Sequence, residues 1–311
     1  MKQVANKNGN GIAAAETATE PGIRIVPVKK VAAGVLRSGE DNVAIEEPLE
    51  IRLAWPAVRG EAAAAGMESR NVAVTMRTPG DDAELALGFL FTEGIIRSPD
   101  QIAAVTASSS TNDIGEPNRV TVQLRELPEI DLAKLDRNFY VTSSCGVCGK
   151  ASIEAIHAHA QFPILADELQ VGAPTLTDLP GQLLLRQRVF AGTGSIHAAA
   201  LFDHGGLIGR VFEDVGRHNA VDKLVGASFL TGELPLRNTG ILVSGRASFE
   251  LVQKARMAGC AMLAAVGAPS SLAIDLAWDS DMTLIGFLRE GRFNVYTGPA
   301  RVSDACAPVN M

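Results

Sequence analysis

The spacing of apolar residues changes along the chain, and this spacing separates predicted strands from predicted helices. Short runs that are apolar throughout, or that alternate with polar residues, are typical of strands. The second half of the chain repeats such runs at short intervals. Strands are predicted at residues 23–28, 44–54, 72–76, 119–124, 196–202, 207–212, 241–243, 263–266 and 284–288.

Apolar residues that recur three and four positions apart predict helices between these strands. The first helix follows the turn at residues 78–80. Asp81 is its expected N-cap, Glu84 stands three residues further on in capping-box spacing, and Gly94 is the expected stop. Further helices are predicted at residues 150–160, 216–230, 248–262 and 271–278.

The order of these elements predicts a tail and two domains. Residues 1–22 are polar and rich in Ala and Asn, which is typical of a disordered tail. A polar connection at residues 127–136 marks a boundary, so that residues 23–136 form a small α+β domain. Strands and helices alternate in residues 137–311, which predicts a layered α/β domain.

Composition and charge narrow the range of partners. The chain has 311 residues, with 28 basic and 35 acidic side chains and a net charge of −7. A field of that sign repels phosphate backbones at long range, so no nucleic-acid partner is expected. No stretch reaches the roughly 18 uncharged apolar residues that span a bilayer, so no membrane is expected. The N-terminus lacks the apolar segment of a secretory signal, which predicts a cytoplasmic protein.

The strongest chemical signal is a CxxC motif. Of the four cysteines, Cys145 and Cys148 form this motif, whereas Cys260 and Cys306 are isolated, so the set is no disulfide framework. Glycines flank the motif, and Lys150 follows it at the start of a predicted helix. The helix dipole and the lysine would stabilise an open thiolate, the species that attacks the persulfide of another protein. The motif therefore predicts sulfur transfer.

Half of a zinc site is the main alternative for the CxxC motif. A closed zinc site needs four ligands, commonly from a second CxxC or from two histidines three to five residues apart. His157 and His159 are two residues apart, on different faces of the predicted helix, and Cys260 and Cys306 stand alone. Sulfur chemistry is therefore preferred over zinc binding or an inert pair of thiols, and no structural metal is expected.

Glycine-bearing turns at predicted strand ends favour an anionic ligand. Arg217 and His218 lie in the first turn of a predicted helix, where a cation opposes the dipole unless an anion binds; a solvated helix start is the alternative. Ser244 and Arg246 lie in a strand-to-helix turn that lacks the spacing and the Lys of a P-loop. Residues 267–271 form a similar turn.

Two further positions complete this set. Arg289 and Arg292 follow the end of a predicted strand, and several such turns would suit a ligand with several phosphates. His197 follows the glycine-rich residues 192–194 at the start of a strand. A buried histidine with backbone partners is the more common explanation for such a residue, so this signal is weak by itself.

These motifs together resemble the formate dehydrogenase accessory sulfurtransferase family, also called the FdhD family. The resemblance runs from about Glu46 to Tyr296 and covers most of the chain beyond the tail. The matching segments are residues 46–49, 78–86, 144–150, 197–202, 214–222 and 244–254.

The resemblance implies a specific reaction. Members take sulfur from a cysteine desulfurase as a cysteine persulfide and deliver it to a molybdenum (or tungsten) bis-guanine-dinucleotide pterin cofactor, on which formate dehydrogenase depends. The family's persulfide cysteine falls on Cys145, with Cys148 as its CxxC partner. The cofactor-binding stretch falls on Phe287, Leu288, Arg289, Glu290, Gly291 and Arg292.

The resemblance also implies a fold and an assembly. Members are homodimers with a cytidine deaminase-like domain and a smaller additional domain. The deaminase signature, H-x-E with P-C-x-x-C, is absent, so deaminase zinc chemistry is not carried over. Two other functions stay open: a chaperone that binds the cofactor without using the thiols, and a zinc-dependent nucleoside deaminase.

We predict a persulfide on Cys145. After incubation with a cysteine desulfurase and cysteine, the peptide that contains the motif should gain the mass of one sulfur atom and lose it on reduction. The gain should disappear in Cys145→Ala and persist in Cys148→Ala and in the control Cys306→Ala. An unchanged mass with a competent desulfurase, or equal loss in both motif variants together with bound zinc, would contradict the prediction.

Overall fold

The computed structural model describes residues 21–57, 66–108, 118–127, 160–165 and 169–304. Within these ranges the chain forms a mixed α/β structure with six α-helices. The helices are α1 Asp82–Thr92, α2 Ala173–Leu184, α3 Arg188–Thr193, α4 Arg217–Leu230, α5 Phe249–Met257 and α6 Ser271–Asp279. The strands are β1 Ile23–Ala32, β2 Val35–Ala44, β3 Glu47–Pro56, β4 Met67–Arg77, β5 Ile102–Ser108, β6 Arg119–Leu124, β7 Val171–Gly172, β8 His197–Asp203, β9 Ile208–Asp214, β10 Thr239–Val243, β11 Met262–Ala265, β12 Thr283–Arg289, β13 Arg292–Thr297 and β14 Val302–Ser303.

The largest sheet has six strands in the order β13-β12-β11-β10-β8-β9. Its centre, β10, β11 and β12, is parallel, and helices α5 and α6 make the two crossovers. β8, β9 and β13 are antiparallel to their neighbours. The carboxyl ends of the parallel strands therefore lie at the same edge as the start of β8 and the end of β9.

The two faces of this sheet are covered by different helices, because alternate residues of a strand point to opposite sides. Ile241, Val243 and Leu263 belong to the core that also holds α4, α5 and α6. Leu242 and its neighbours in β11 and β12 belong to a second core, which contains Leu176, Leu179 and Leu183 of α2. The sheet is thus a layer between two sets of helices, as an α/β fold requires.

A second sheet of four strands has the order β4-β3-β6-β5, and a separate antiparallel hairpin is formed by β1 and β2. Residues of β3 and β6 that point inward, such as Leu53 and Val122, belong to the same hydrophobic core as α1, α4 and α5. The predicted domain boundary at residue 136 lies outside the described residues and stays a prediction. The described parts on either side of it nevertheless share one core.

Helices α1 and α4 cross at two glycines. A Cβ atom built on Gly88 would overlap the carbonyl oxygen of Asp222, and one built on Gly226 would overlap the carbonyl oxygen of Glu84. In both cases the obstacle is backbone, which no rotamer change can move away. The absence of side chains at these two positions is what lets the helix backbones approach so closely.

Buried ion pairs flank this crossing. Lys254 Nζ of α5 lies 2.8 Å from Asp222 Oδ1 of α4 and donates a hydrogen bond to Thr92 Oγ1 at the end of α1. Thr92 Oγ1 in turn donates to Asp222 Oδ1 over 2.9 Å. Because each of these three groups is buried and has partners, removing one would leave an uncompensated charge or donor in the core.

A second buried network joins β4 to β9 and α4. Asp214 Oδ2 lies 2.9 Å from Lys223 Nζ, and both side chains are fully buried. Lys223 Nζ also donates to the carbonyl of Thr78, whose backbone N–H donates to Asp214 Oδ2. Burial raises the pKa of Asp214, although Lys223, the Gly216 N–H and Asn219 act to lower it. The turn after β4 is thereby attached to the start of α4.

Many predicted elements are confirmed, among them the strand at residues 119–124, the β8–β9 hairpin and the stop at Gly94, which has a φ of 72°. The predicted capping box is wrong. Asp81 has a left-handed backbone (φ 56°) and its side chain makes no capping hydrogen bond. The first turn is held instead by Asp82, whose carboxylate accepts two hydrogen bonds from the buried Arg77, at 2.8 and 2.9 Å.

Two other boundaries differ from the prediction. The helix predicted at residues 248–262 ends at Met257, because Gly259 turns the chain with a φ of 71° into β11. The single strand predicted at residues 44–54 corresponds to parts of two strands: residue 44 ends β2, and residues 47–54 belong to β3. The cytidine deaminase-like arrangement of the layers stays a prediction, as does the helix at residues 150–160, of which all but the last residue lies outside the described ranges.

At the helix crossing, even the small side chain of alanine is expected to lower the free energy of unfolding by a large amount. Gly88→Ala and Gly226→Ala should each lower the free energy of unfolding by about 3 kcal/mol, because the added methyl group must push two backbones apart. Gly181→Ala is the matched control: Gly181 lies in α2 with no atom in the way of a Cβ, so alanine should stabilise by about 0.5–1 kcal/mol. Chemical denaturation of the three variants measures both effects. Unchanged stability in Gly88→Ala and Gly226→Ala would contradict the close crossing.

Candidate functional site

The sheet topology brings the predicted anion-binding turns to one edge. His197 opens β8, Arg217 and His218 follow β9, and Ser244 and Arg246 follow β10. The stretch from Phe287 to Arg292, which includes Leu288, Arg289, Glu290 and Gly291, closes β12 and opens β13 at the same edge. Residues far apart in the sequence therefore converge, as they do in α/β proteins that bind ligands at the carboxyl ends of parallel strands.

The loop after β10 packs directly on its neighbours. A Cβ on Gly245 would lie 3.2 Å from His197 Nδ1 and 4.0 Å from Cδ of Arg217, so the loop, His197 and α4 are in contact range. Ser244 Oγ accepts a hydrogen bond from the N–H of Ala198 at 2.8 Å. Ser244 therefore fixes the loop to β8 with the same hydroxyl group that was expected to meet a ligand.

The loops after β10, β11 and β12 are joined by backbone hydrogen bonds. Gly267 N–H donates to the carbonyl of Gly245, and the carbonyl of Gly267 accepts from Phe287 N–H, at 2.9 and 3.0 Å. A Cβ on Gly267 would approach the backbone of Arg246 to 2.9 Å, so glycine is needed for this close approach. Phe287 itself has a φ of 53° and an exposed ring. The three loops form one continuous rim.

The rim carries cations that lack carboxylate partners within the described part of the chain. Arg246, Arg289 and Arg292 are exposed, and Arg289 lies opposite Arg292 across the β12–β13 register. Like charges in that position repel each other. The Nε of Arg217 is buried and has no hydrogen-bond partner among the described residues. An anion bound between Arg289 and Arg292 would relieve this repulsion.

His218 sits between the starts of two helices. Its Nε2 lies 3.2 Å from Ser248 Oγ and 3.7 Å from Glu250 Oε2. The hydrogen bond with His218 lowers the pKa of Glu250 to about 2, against the opposing effect of burial. Both contacts use the same ring nitrogen, which differs from a nucleophile–histidine–acid relay, where the acid binds the other nitrogen. The arrangement thus holds α4 and α5 together at the rim.

A cleft of about 600 Å³ opens beside this rim, between α2, α3 and the sheet edge. Its walls are mostly apolar, from Pro180, Leu183, Leu184 and Ile196, with Phe190 on the α3 side. His197, Ser195, Ser244 and Gln187 supply polar atoms. A volume of this size with few polar groups is typical of a small-molecule site.

The sequence analysis missed the α2–α3 side of the cleft. Pro180 lies inside α2 and breaks the helical pattern that would have revealed it, and α3 spans only Arg188–Thr193. The only available signal was the glycine-rich segment at residues 192–194, which now marks the end of α3, where Gly194 has a φ of 68°. Gln187 and Phe190 carried no signal of their own.

The cysteine motif lies outside the described residues, so the positions of Cys145 and Cys148 stay predictions. Cys306 is outside them as well. Cys260 is a buried cysteine two residues before β11, in hydrogen-bond range of the carbonyls of Thr239 and Met262. Within the described ranges no three His, Cys, Asp or Glu side chains form a cluster that could hold a metal ion. In the same ranges no helix is long and apolar enough to cross a membrane.

Comparison with known proteins identifies a family model, named relatives and a solved structure that this chain resembles. Residues 46–303 match the model of the FdhD/NarQ family. Proteins named "Sulfur carrier protein FdhD" are 46% identical in Streptomyces avermitilis (89% of this chain and 94% of the relative) and 48% identical in Mycolicibacterium paratuberculosis (88% and 97%). A crystal structure provisionally described as that of a formate dehydrogenase accessory protein from Desulfotalea psychrophila has a TM-score of 0.68 at 24% identity. It covers 91% of this chain and 100% of its own.

We expect the free energy of unfolding to depend on pH through His197, which lies beside the rim. Burial lowers the pKa of His197 below 6.5, and the positive charges of Arg217 and His218 act in the same direction, whereas Asp214 opposes them. The unfolded chain therefore binds more protons between the two pKa values, so the free energy of unfolding should fall as the pH drops below 6.5. His197→Gln should flatten this slope. His204→Gln, in the exposed hairpin turn, should leave it intact, and equal slopes in both variants would contradict the assignment.

Proposed function

Because the chain belongs to the FdhD/NarQ family, we propose that it is a sulfur carrier that serves formate dehydrogenase. It would accept sulfur from a cysteine desulfurase as a persulfide on Cys145 and deliver it to a molybdenum (or tungsten) bis-guanine-dinucleotide pterin cofactor. That cofactor is the cargo of the protein, and no resident metal is part of the proposal. The names of the curated relatives support the carrier function, and the cofactor assignment draws on the rim.

The observation that carries the cofactor assignment is the convergence, at one sheet edge, of arginines that have no carboxylate partner among the described residues. A cofactor with two guanine dinucleotides presents several phosphates, and Arg217, Arg246 and Arg292 approach the rim from three different elements. Arginine binds phosphate oxygens in a fixed, two-pronged geometry, and backbone N–H groups at a helix start add further donors. The close approaches of Gly245 to His197 and of Gly267 to the backbone of Arg246 hold the loops after β10 and β11 in place beside these arginines.

The residues at the rim fit this cargo in charge as well as in shape. The net charge of the chain is −7, so an anionic ligand needs a local concentration of cations. The rim supplies that concentration at Arg217, Arg246, Arg289 and Arg292, while Glu290 lies in the turn between the last two. His197, with its lowered pKa, is neutral at pH 7 and can donate or accept a hydrogen bond there.

The proposed sulfur transfer uses both cysteines of the motif. The Cys145 thiolate attacks the terminal sulfur of the desulfurase persulfide; the new S–S bond forms as the old one breaks, and the desulfurase cysteine leaves as a thiolate. Attack of the Cys148 thiolate on the Sγ atom of Cys145 then releases hydrosulfide for the cargo and leaves a Cys145–Cys148 disulfide. A cellular dithiol must reduce that disulfide before the next cycle. Without Cys148, an external thiol can perform the release more slowly.

The proposed partners follow from this sequence of steps. They are a cysteine desulfurase as donor, the catalytic subunit of formate dehydrogenase as the recipient of the loaded cofactor, and a second copy of the chain in a homodimer. A cytoplasmic location would give access to the desulfurase and to a reducing dithiol. Nucleic acid and membrane play no part in the proposal.

The two halves of the proposal can be tested separately. Cys145→Ala should abolish activation of formate dehydrogenase and still bind GDP, used as a fragment of the cofactor. Arg246→Ala should weaken GDP binding by about tenfold, because a charge-assisted contact is lost, and should still accept a persulfide. The measurements are complementation of formate dehydrogenase activity, calorimetric GDP binding and mass spectrometry of the cysteine peptide.

Arg237→Ala is the matched control, because Arg237 is an exposed arginine before β10, at the opposite end of that strand. It should behave like the wild type in all three measurements. Full activation by Cys145→Ala would replace the sulfur carrier by a chaperone that only binds the cofactor. Absence of GDP binding by the folded wild-type protein would refute the cofactor assignment.

A further inference from the structure

The β1–β2 hairpin stands apart from the two larger sheets. Its strands pair over ten residues each, and no third strand joins them within the described part of the chain. At its base, Ile23 packs in a small cluster with Val189 of α3. Near the turn, Val31, Val35 and Leu36 are 68%, 50% and 62% exposed. A two-stranded hairpin is marginally stable by itself in water, so these exposed apolar side chains indicate a surface that binds a partner.

The two outer edges of this hairpin differ in the hydrogen bonds that they can form. Ile45 N–H donates to the carbonyl of Gly22 at 2.8 Å, so these two residues form a hydrogen-bonded pair. Such pairs alternate along an antiparallel ladder, and the residues between them direct their N–H and C=O groups outward. On β1 the outward residues include Pro27, which has no N–H and blunts that edge. On β2 every outward residue keeps its N–H: Leu36, Ser38, Glu40, Asn42 and Ala44. The edge of β2 can therefore accept a further strand.

The sequence of β2 is complementary to itself when a second copy of the strand runs antiparallel to it. In one symmetric register, Val35 lies opposite Val43 of the second copy, and Arg37 lies opposite Asp41 of the second copy. Gly39 then lies opposite its own copy on the twofold axis. The two residues at that position belong to a pair without hydrogen bonds, in which side chains come closest, so glycine avoids a collision there.

Arg37 has no opposite charge to pair with in its own hairpin. It lies directly opposite Lys30 in the β1–β2 register, and like charges in that position repel each other. Asp41 lies 3.4 Å from Lys30, although both side chains are more than half exposed. No carboxylate contacts Arg37 within the described residues. A second copy in the symmetric register would bring Asp41 to Arg37, and it would do so twice in each dimer.

The neighbouring symmetric registers are less favourable. Moving the second strand by two residues in one direction places Glu40 opposite its own copy, where the two carboxylates repel each other. Moving it by two residues in the other direction places Val35 opposite Asp41 and Leu36 opposite Glu40. A move by one residue would set the outward N–H and C=O groups of one strand against residues whose own groups point away. Charge and hydrogen bonding therefore favour the register with Gly39 on the axis.

We propose that the outer edge of β2 is a dimerisation surface, through which two copies of the chain join their hairpins into a four-stranded antiparallel sheet. The same strand contributes from both copies, as a twofold interface requires. The exposed Val35 near each turn would then pack against Val43 near the base of the other hairpin. The proposed function includes a homodimer but assigns no surface to it; the β2 edge supplies that surface independently of the sulfur chemistry.

Sedimentation equilibrium of the full-length protein tests this surface through the dissociation constant of the dimer. Ser38→Pro removes an outward N–H of β2 and places a ring against the second copy, so the dissociation constant should rise about a hundredfold. Lys29→Pro is the matched control, because Lys29 lies opposite Ser38 and donates to its hydroxyl group at 2.6 Å. Both variants lose that hydrogen bond, but Lys29→Pro alters only the β1 edge. Its dissociation constant should stay within about threefold of the wild-type value.

An exchange of charges tests the register without changing the backbone. Arg37→Asp should raise the dissociation constant about tenfold, because two attractive pairs in the dimer become repulsive. The addition of Asp41→Arg restores opposite charges in both pairs, so the double variant should return to within about threefold of the wild type. Persulfide acceptance by the cysteine motif, measured by mass spectrometry, should be the same in all of these variants.

Several results would overturn this dimerisation surface. A wild-type protein that is monomeric at every concentration would show that no second copy binds the edge. Equal weakening by Ser38→Pro and Lys29→Pro would assign the effect to the stability of the hairpin instead of the β2 edge. A dimer unaffected by Ser38→Pro would place the interface elsewhere, and a double variant no tighter than Arg37→Asp would refute the register. The sulfur-carrier function would stand in each case, because its test is the persulfide on Cys145.

Discussion

The crossing of α1 and α4 at Gly88 and Gly226 is the contact on which the rest of the structure depends. It brings the helix that follows the four-stranded sheet against the helix that opens at the rim, with no side chain between the two backbones. On one side of the crossing, Asp222 and Lys254 form a buried ion pair capped by Thr92. This arrangement sets the direction of the α4 axis. It therefore also sets the position of Arg217, the first residue of that helix.

The second buried pair, Asp214 with Lys223, extends the same constraint to the sheet edge. Thr78 contributes both its N–H and its carbonyl to the pair, so the turn after β4 is tied to the last residue of β9. The neighbouring residue, Glu213, anchors α3 through Val189 and Phe190. One strand end therefore positions the start of α4, the small four-stranded sheet and the wall of the cleft. These hydrogen bonds and the buried ion pair hold the supports of the site in place.

The rim and the thiol motif are suited to different parts of the proposed task. The rim concentrates positive charge on a protein whose overall charge is negative, which favours a polyphosphate ligand locally without attracting nucleic acid at long range. Hydrogen bonds between the loops after β10, β11 and β12 fix that charge in place. Sulfur exchange requires instead that a thiolate reach the active cysteine of another protein. The sequence separates the two, since Cys145 and Cys148 precede the six-stranded sheet.

The local pattern of the sequence was sufficient to locate strands β8 to β12 and helices α4 to α6, although not α2, α3 or the end of α5. Strands β8 to β12 are short apolar runs, and apolar residues recur at helical spacing in Arg217–Leu230. These patterns are visible in the sequence because a sheet buried on both faces needs apolar residues in its strands and in the helices that cover it. The motif chemistry, too, was local: glycines at strand ends and cations at a helix start predicted an anion site at Arg217, Ser244, Arg246 and residues 287–292.

What the sequence could not show was the pairing of distant residues. Asp81 resembles a helix cap by spacing, yet its backbone is left-handed and its side chain makes no capping hydrogen bond, while Arg77 donates to the carboxylate of the neighbouring Asp82. The position of Gln187 at the wall of the cleft is decided where α3 meets the sheet, since burial is a property of the surroundings and not of the residue. The sequence determined the periodic elements and the chemical groups, whereas burial and contacts between segments more than a hundred residues apart, such as Thr78 with Lys223, decided which of those groups face a common site.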